Sequence, residues 1–357
     1  MNVETISDSQ PIIIKKKGRS SLALKGFAVV FGIGLLSVVI YKAGFHAILA
    51  SLSKIGWYFL VIIALNGSRH LLRALSVYMA VPNRQRDFKY RDAVAARLGG
   101  EAAGIVTFTG ALVSEATKAA LLKNRLSLAD RVATIVVDNL IYGISVILVI
   151  LSGACMMLYT FGHGDKAVSG ALLIVAGLMC LAIFGLVMLA KHKFKPMSHI
   201  LRKYGHARWV PNFLVKREEH FIRLETSVLE FYATRRHAFY SMLGINFFAH
   251  ALSVIEVMFV LSLLGFKPGV ATAYMIESLT KIINFSFSFI PGNLGIYEGG
   301  GGVILQILGF TAATGVALAL VRRGAMLSWA AVGILILIWR TITENVEKSG
   351  SREAETV

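Results

Sequence analysis

The sequence predicts an all-α polytopic membrane protein, with about six spanning helices and two re-entrant helical hairpins in an inverted repeat. Three observations predict it. Apolar residue types make up 56% of the 357 residues and charged types 16%, with a mean hydropathy of +0.67. A soluble domain carries about 25% charge, so this chain has too few polar side chains to coat a water-soluble body. Second, the apolar residues fall in runs of about 20 or more, the length that crosses hydrocarbon. Third, two further apolar segments are broken by clustered glycines, as half-length helices joined by an irregular turn would be.

The elements follow in order. Residues 1–20 form a basic tail. Leu22–Tyr41 is the first span, read as retained because no small-x-small cleavage site follows it. Ile55–Val81 is the second, with charges inside it. Residues 92–122, broken by Gly99, Gly100, Gly104 and Gly110, form hairpin A. Leu128–Thr160 exceeds one membrane thickness and must tilt or project. Ala167–Ala190 is the cleanest span, and Ala238–Leu264 is another. Residues 269–309 form hairpin B, which breaks at Pro291, Gly292 and Gly295 and resumes at Val303. Ala312–Thr343 is the last span, interrupted by Arg322 and Arg323, and the polar tail 344–357 reads as disordered. Irregular backbone at membrane depth is tolerated only inside protein or beside a wet cavity, so both hairpins point to a shared interior site.

Charge orients the chain. The 37 basic and 20 acidic residues leave a net +17, which a nucleic-acid binder also shows. Here the basic residues sit between apolar runs: Lys15, Lys16, Lys17 and Arg19; then Arg84, Arg86, Lys89 and Arg91; then eleven Lys/Arg against four Glu in 191–237. That is the positive-inside pattern, not a nucleic-acid surface. It places the N-terminus, 82–91, 118–131 and 191–237 in the cytoplasm, and the near-neutral links 42–54, 161–167 and 265–268 outside. The expectation is a multi-pass protein of the cell membrane with both termini cytoplasmic. Hairpin A then enters from the cytoplasm and hairpin B from the opposite side. In the loop 191–237, Phe213, Phe221, Leu224, Val228 and Phe231 recur near helical spacing among charges, as in an amphipathic helix on the leaflet surface or in a solvated linker.

The hairpin turns echo each other. Thr109-Gly110-Ala111-Leu112-Val113-Ser114-Glu115 and Pro291-Gly292-Asn293-Leu294-Gly295-Ile296-Tyr297-Glu298 both run Gly-x-Leu, then a Glu, then a helix. Matching broken helices entering from opposite sides mark inverted-repeat transporters, whose helix N-termini point at a midplane site. Such N-termini suit an anionic headgroup.

Each ionic residue at span depth costs about 2.5–3.5 kcal/mol unless partnered or wet. Arg69 and Arg73 lie at i and i+4 on one face, either holding a lipid phosphate or pairing with a structural carboxylate. Glu115 and Glu298 follow the glycine turns and either receive a cation, orient a headgroup or cap their own helices. Asp138 wants an Arg or Lys. Glu277 and Lys281, at i and i+4, read first as a structural pair. At least one of Arg322 and Arg323 faces a cavity, since neighbours on a helix point about 100° apart. Asp130 and Arg131 read as interfacial, and His250 and Glu256 as hydrogen-bonded core residues. The candidate headgroup-binding set is therefore Arg69, Arg73, Gly110, Glu115, Lys118, Asp138, Gly292, Asn293, Gly295, Glu298, Arg322 and Arg323. No metal-ligand spacing, P-loop or GxSxG elbow occurs, so neither metal nor cofactor is expected.

The stretch Gly110–Glu115 with Lys118, Leu121, Asp130 and Asp138, and the stretch Pro291–Glu298 with Gly309 and Arg322, resemble the two blocks of the lysylphosphatidylglycerol synthase transmembrane region, or flippase-like domain, over roughly residues 20–345. Thr109 and Lys118 stand where that family usually has a Pro and an Arg. The resemblance implies movement of a polar lipid between leaflets, with a phospholipid or isoprenoid lipid as substrate and a separate lipid-synthesis enzyme as a partner. In multiple peptide resistance factors this domain is joined to a soluble aminoacyl-transferase domain; none follows the last span here, so aminoacylation is not expected. Two other readings stand beside it. One is a non-transporting scaffold of a lipid-synthesis complex. The other is an intramembrane lipid-phosphate transferase, disfavoured because residues 42–54 hold no Asp or Glu.

Overall fold

The computed structural model describes residues 46, 50, 53–81, 88–107, 110–161, 166–191, 199, 203, 218–287 and 295–355. The first expected span, Leu22–Tyr41, and the turn Pro291–Leu294 lie outside them. Among the described residues every regular element is helical. A single 3-10 turn, Gly56–Tyr58, leads into α1, Phe59–Ala80. Helices α2, Tyr90–Val106, and α3, Gly110–Leu121, form hairpin A. Helices α4, Leu128–Phe161, and α5, Lys166–Lys191, follow. Next come α6, Glu218–Thr234, and α7, Arg236–Leu263. Helices α8, Val270–Ser286, and α9, Ile296–Ile307, form hairpin B, and α10, Ala312–Glu355, ends the chain.

Among the described residues five stretches are long and apolar enough to cross a membrane: Gly56–Ala80, Leu128–Phe161, Ser169–Met188, Arg236–Leu263 and Ala312–Thr343. They are the second to sixth spans read from the sequence. The hairpin helices are shorter, with 17 residues in α2 and α8 and 12 in α3 and α9. At 1.5 Å per residue those lengths are about 25 and 18 Å, below the ~30 Å of hydrocarbon. The last run is one helix across Arg322 and Arg323. It continues to Glu355, over residues whose polar composition suggested a disordered tail: the backbone ladder simply extends past the last apolar turn.

Local chemistry starts the helices. The Ser127 hydroxyl accepts the Asp130 amide at 3.2 Å at the head of α4, and the Thr311 hydroxyl accepts the Thr314 amide at 3.2 Å at the head of α10. Gly295, at φ +76, turns the chain into α9 in a conformation that costs glycine little, and its amide donates to the Glu298 carboxylate at 2.8 Å. At the other end of α1, the Arg235 guanidinium donates to the carbonyls of Val81 (2.6 Å) and Met79 (3.1 Å), neutralising the negative helix end.

Two units emerge from the packing. Helices α1–α4 form one and α7–α10 the other, with α5 and α6 outside both. Each neighbour relation in one unit has its counterpart in the other: α1 on α2 as α7 on α8, and α3 on α4 as α9 on α10. The relations between units also match, α2 packing on α10 as α8 packs on α4. The leading helices run antiparallel. Tyr58 meets Phe259 at a ring separation of 6.1 Å, Arg69 meets Glu256, and Ala80 shares a core cluster with Met242. Antiparallel equivalents make the repeat inverted. Helix α6 docks on this bundle through Phe231, which is buried with Ala80, Val137, Ile141 and Met242.

Glycines set the closest approaches. A Cβ on Gly104 would stand 2.9 Å from the Gly110 carbonyl oxygen, which brings α2 and α3 into near-backbone contact. On α10, a Cβ on Gly333 would lie against the Leu98 carbonyl of α2, while Gly244 on α7 faces open space. Gly333→Ala is therefore expected to lower the thermal unfolding midpoint in detergent, with an overpacking cost of about 1–3 kcal/mol. Gly244→Ala is expected to leave the midpoint equal or raised.

Candidate functional site

Where the two units meet, polar side chains surround two cavities. The first, about 300 Å³, is bounded by Asn66, Arg69, His70 and Arg73 of α1, Arg97 and Glu101 of α2, Tyr142 of α4 and His250 of α7. Its other wall is Glu277, Thr280, Lys281 and Asn284 of α8, Tyr297 of α9, and Arg322 and Arg323 of α10. The second, about 340 Å³, runs from Arg73, Arg97, Glu101 and Tyr142 to Gly104, Gly110, Ser114, Glu115, Lys118 and Asn139. Arg73, Arg97, Glu101, Ile105, Tyr142 and Asn284 line both, so the cavities adjoin. Asn66, Arg69, His70, Arg73, Tyr142 and His250 fall in the middle parts of spanning helices, and the rest of the lining comes largely from the hairpin helices.

Ion pairs neutralise the cluster. Arg69 Nη1 donates to Glu256 Oε2 at 2.7 Å, joining α1 to α7. Arg322 lies 3.6 Å from Glu256, and its Nη2 donates at 2.8 Å to Glu277 Oε2 and to the Ser253 hydroxyl. Lys281 reaches Glu277 at 2.8 Å. Arg69, Glu256, Arg322, Glu277 and Lys281 thus form one chain of alternating charge across four helices. Arg323 holds Glu298, whose other oxygen caps α9. Arg97 pairs with Glu101 at 2.9 Å and Lys118 with Glu115 at 2.9 Å. Arg73 is less well served: it lies 3.6 Å from Asp138, which accepts the Ser76 hydroxyl at 2.6 Å, and its guanidinium sits 3.5 Å above the Tyr142 ring.

The sequence-derived candidates divide accordingly. Arg69, Arg73, Gly110, Glu115, Lys118, Arg322 and Arg323 border the cavities. Asp138 and Glu298 are fully buried behind that lining, each holding an arginine. Gly295 acts through the turn into α9, and Gly292 and Asn293 lie outside the described residues. Sequence reading left out Arg97, Glu101, Tyr142 and Asn284, which line both cavities. It also treated Glu256 as a lone core residue, whereas it is a hub carboxylate. His250 does take the expected core hydrogen bond, to the Ser145 hydroxyl at 3.1 Å. Asp130 stays at its helix head with Ser127.

A signal for the omitted residues exists. At one constant separation along the chain, Asn66 and His70 correspond to Asn246 and His250, Arg97 and Glu101 to Glu277 and Lys281, and Gly153 to Gly333. The hairpin pairs share i, i+4 spacing but carry opposite sign order, which hides the repeat from a search for identical residues.

The family model described as the lysylphosphatidylglycerol synthase TM region matches residues 26–335. The chain belongs to that family. No curated protein and no solved structure matches it. Membership of the lysylphosphatidylglycerol synthase transmembrane-region family makes this a multi-pass membrane protein related to lipid handling, and the ionic cleft lies inside the matched region.

Among the described residues the cluster comprises the cations Arg69, Arg73, Arg97, Lys118, Lys281, Arg322 and Arg323 and the carboxylates Glu101, Glu115, Asp138, Glu256, Glu277 and Glu298, one cation in excess. Removing a single partner from a buried pair leaves an uncompensated charge, at a cost of about 3–5 kcal/mol. Glu277→Gln is expected to show that loss as a large drop in unfolding midpoint in detergent. Glu115→Gln strands the buried Lys118 ammonium, so it is also expected to lower the midpoint, by less than Glu277→Gln because the Glu115 side chain is 31% exposed.

Proposed function

We propose that this protein is a lipid translocator of the cell membrane, with both termini cytoplasmic, that moves a polar or anionic lipid between leaflets by alternating access. The observation that carries this reading is the ion-lined cleft at the junction of two antiparallel units. A headgroup crossing hydrocarbon alone forfeits its hydration; a polar cleft substitutes guanidinium and amide donors for water while the acyl chains stay in lipid. The cargo is a phospholipid or an isoprenoid lipid, supplied by a separate lipid-synthesis enzyme. The chain itself makes and breaks no covalent bond.

Mechanistically, the two units rock against each other about the cleft, as inverted repeats allow. The ion pairs Arg69 with Glu256 and Arg340 with Asp92, the latter at 2.9 Å, cross that junction and would exchange partners during rocking. The seven basic side chains around the cleft hold the phosphate as it passes.

The test is reconstitution into liposomes with fluorescent phosphatidylglycerol, lysylphosphatidylglycerol and an isoprenoid phosphate. At least one lipid is expected to change leaflets faster than in empty liposomes. Arg69→Ala is expected to slow that lipid about tenfold or more, the equivalent of one charged hydrogen bond. If no lipid moves faster than in empty liposomes, the translocator reading is overturned and the scaffold reading takes its place.

A further inference from the structure

The two units share a fold but not their closest contacts. In the first unit glycines join the two hairpin helices. A Cβ on Gly104 would stand 2.9 Å from the Gly110 carbonyl oxygen, and one on Gly100 would stand 3.0 Å from the Ser114 carbonyl oxygen. In the second unit glycines join α9 to the span that follows it: a Cβ on Gly301 would stand 2.9 Å from the Gly315 carbonyl oxygen. Neither glycine pair recurs at the separation that relates the repeats. Leu121 and Ile135 stand where the second unit has Gly301 and Gly315, and Asn284 and Ile290 stand where the first has Gly104 and Gly110. Leu121 and its neighbour Leu122 pack toward α1 and α2, with Val77, Val81 and Phe88.

Charge follows the same division. Arg323 of α10 holds Glu298 of α9 in a buried pair. Gly143 and Lys118 occupy the equivalent places in the first unit. Lys118 pairs within its own helix, with Glu115 at 2.9 Å, and a Cβ on Gly143 would meet nothing within 4 Å. Helix α4 is fastened to α3 beside the turn that joins them, where Arg131 donates to the Ala119 carbonyl at 3.2 Å. Toward the start of α3, Gly110, Ala111 and Ser114 share the wall of the second cavity with Asn139 of α4. In lipid, helices are held together by close packing and polar contacts, since the tails around them are as apolar as leucine. The α9–α10 joint has a glycine seam and a buried ion pair; the α3–α4 joint has a cavity in their place. We propose that the cleft opens to the bilayer at this one joint: α2 and α3 move as one piece away from α4, hinging at the turn 122–127, while α9 stays on α10. A headgroup enters there with its acyl chains still in lipid. That purpose rests on the translocator reading; the motion is measured without transport.

The test places spin labels in the full-length protein after Cys155→Ser and Cys180→Ser. Leu112→Cys with Val136→Cys, both exposed, reports the α3–α4 joint, and Val303→Cys with Leu327→Cys reports the α9–α10 joint. Distances are read by pulsed electron paramagnetic resonance in nanodiscs of phosphatidylcholine and of equimolar phosphatidylcholine and phosphatidylglycerol. The first pair is expected to show two distances in at least one membrane, differing by at least about 5 Å, one helical pitch. The second pair is expected to show one distance in both. Gly143→Arg with Lys118→Glu gives the α3–α4 joint the ions of its counterpart and is expected to leave the first pair at its shorter distance. Two distances persisting in that variant overturn the ion pair as what separates the joints. A single α3–α4 distance in both membranes overturns the gate even where liposomes show lipid movement, and two distances at both joints overturn its one-sidedness. Two α3–α4 distances in a protein that moves no lipid leave the gate standing and overturn translocation.

Discussion

The structure depends on one constraint: charge held at mid-membrane has to be neutralised by protein, because water is not there to do it. Arg322 shows how. It sits in the third turn of α10 and reaches Glu256 on α7, Glu277 on α8 and the Ser253 hydroxyl at once. Each carboxylate in turn serves a second cation, Arg69 or Lys281. No member of that chain can be moved alone without stranding another. The positions of four helices are therefore coupled through a handful of side chains, and the apolar packing around Val257, Val260, Leu261 and Leu305 closes on a geometry that the ions have set.

The inverted repeat gives this coupling its symmetry and then breaks it. The hairpin helices match in length between the units, and the caps at Ser127 and Thr311 match in chemistry. Asn66 and His70 have their counterparts in Asn246 and His250. The ionic residues do not match in sign: the Arg97–Glu101 pair of one unit stands where the other has Glu277–Lys281. Tyr142, which lies under Arg73, stands where the other unit has Arg322, which reaches Ser253. A strictly symmetric cluster would place like charges opposite each other across the axis. Each hairpin pair is satisfied within its own helix, and among the described residues of the cluster Arg73 is the cation with the weakest carboxylate partner.

Much of this was legible in the sequence, for reasons that separate cleanly. Apolar run length reports the spans directly, so Ile55–Val81, Leu128–Thr160 and Ala238–Leu264 reappear with ends shifted by a few residues. Glycine clusters reported the hairpins, because Gly104 and Gly110 allow a backbone approach that no other residue permits. The long tertiary pairs were not legible. That Arg69 would choose Glu256 rather than a lipid, or that Arg97 and Glu101 would face the cleft, depends on how α2 and α7 pack, and no local pattern encodes that. The tail past Thr343 was read from polarity alone, which cannot register that an existing helix needs no new nucleus to continue.

An ion network of this kind is a poor device for stability alone. Apolar residues of similar volume fill a buried site at equal or better free energy, because each buried charge must first be stripped of water. A bundle needing only to stand in lipid would have done so with leucine at Arg322 and Glu277 and alanine at Gly333. What apolar packing cannot provide is a cleft that is polar inside, seals hydrocarbon outside, and exchanges contacts at nearly constant energy. Paired charges can do that, since an arginine leaving one carboxylate can meet another carboxylate or a phosphate. On the proposed translocator reading the network is the price of a passage, and the place to look for its occupant is the cation the pairing serves least, Arg73 above Tyr142.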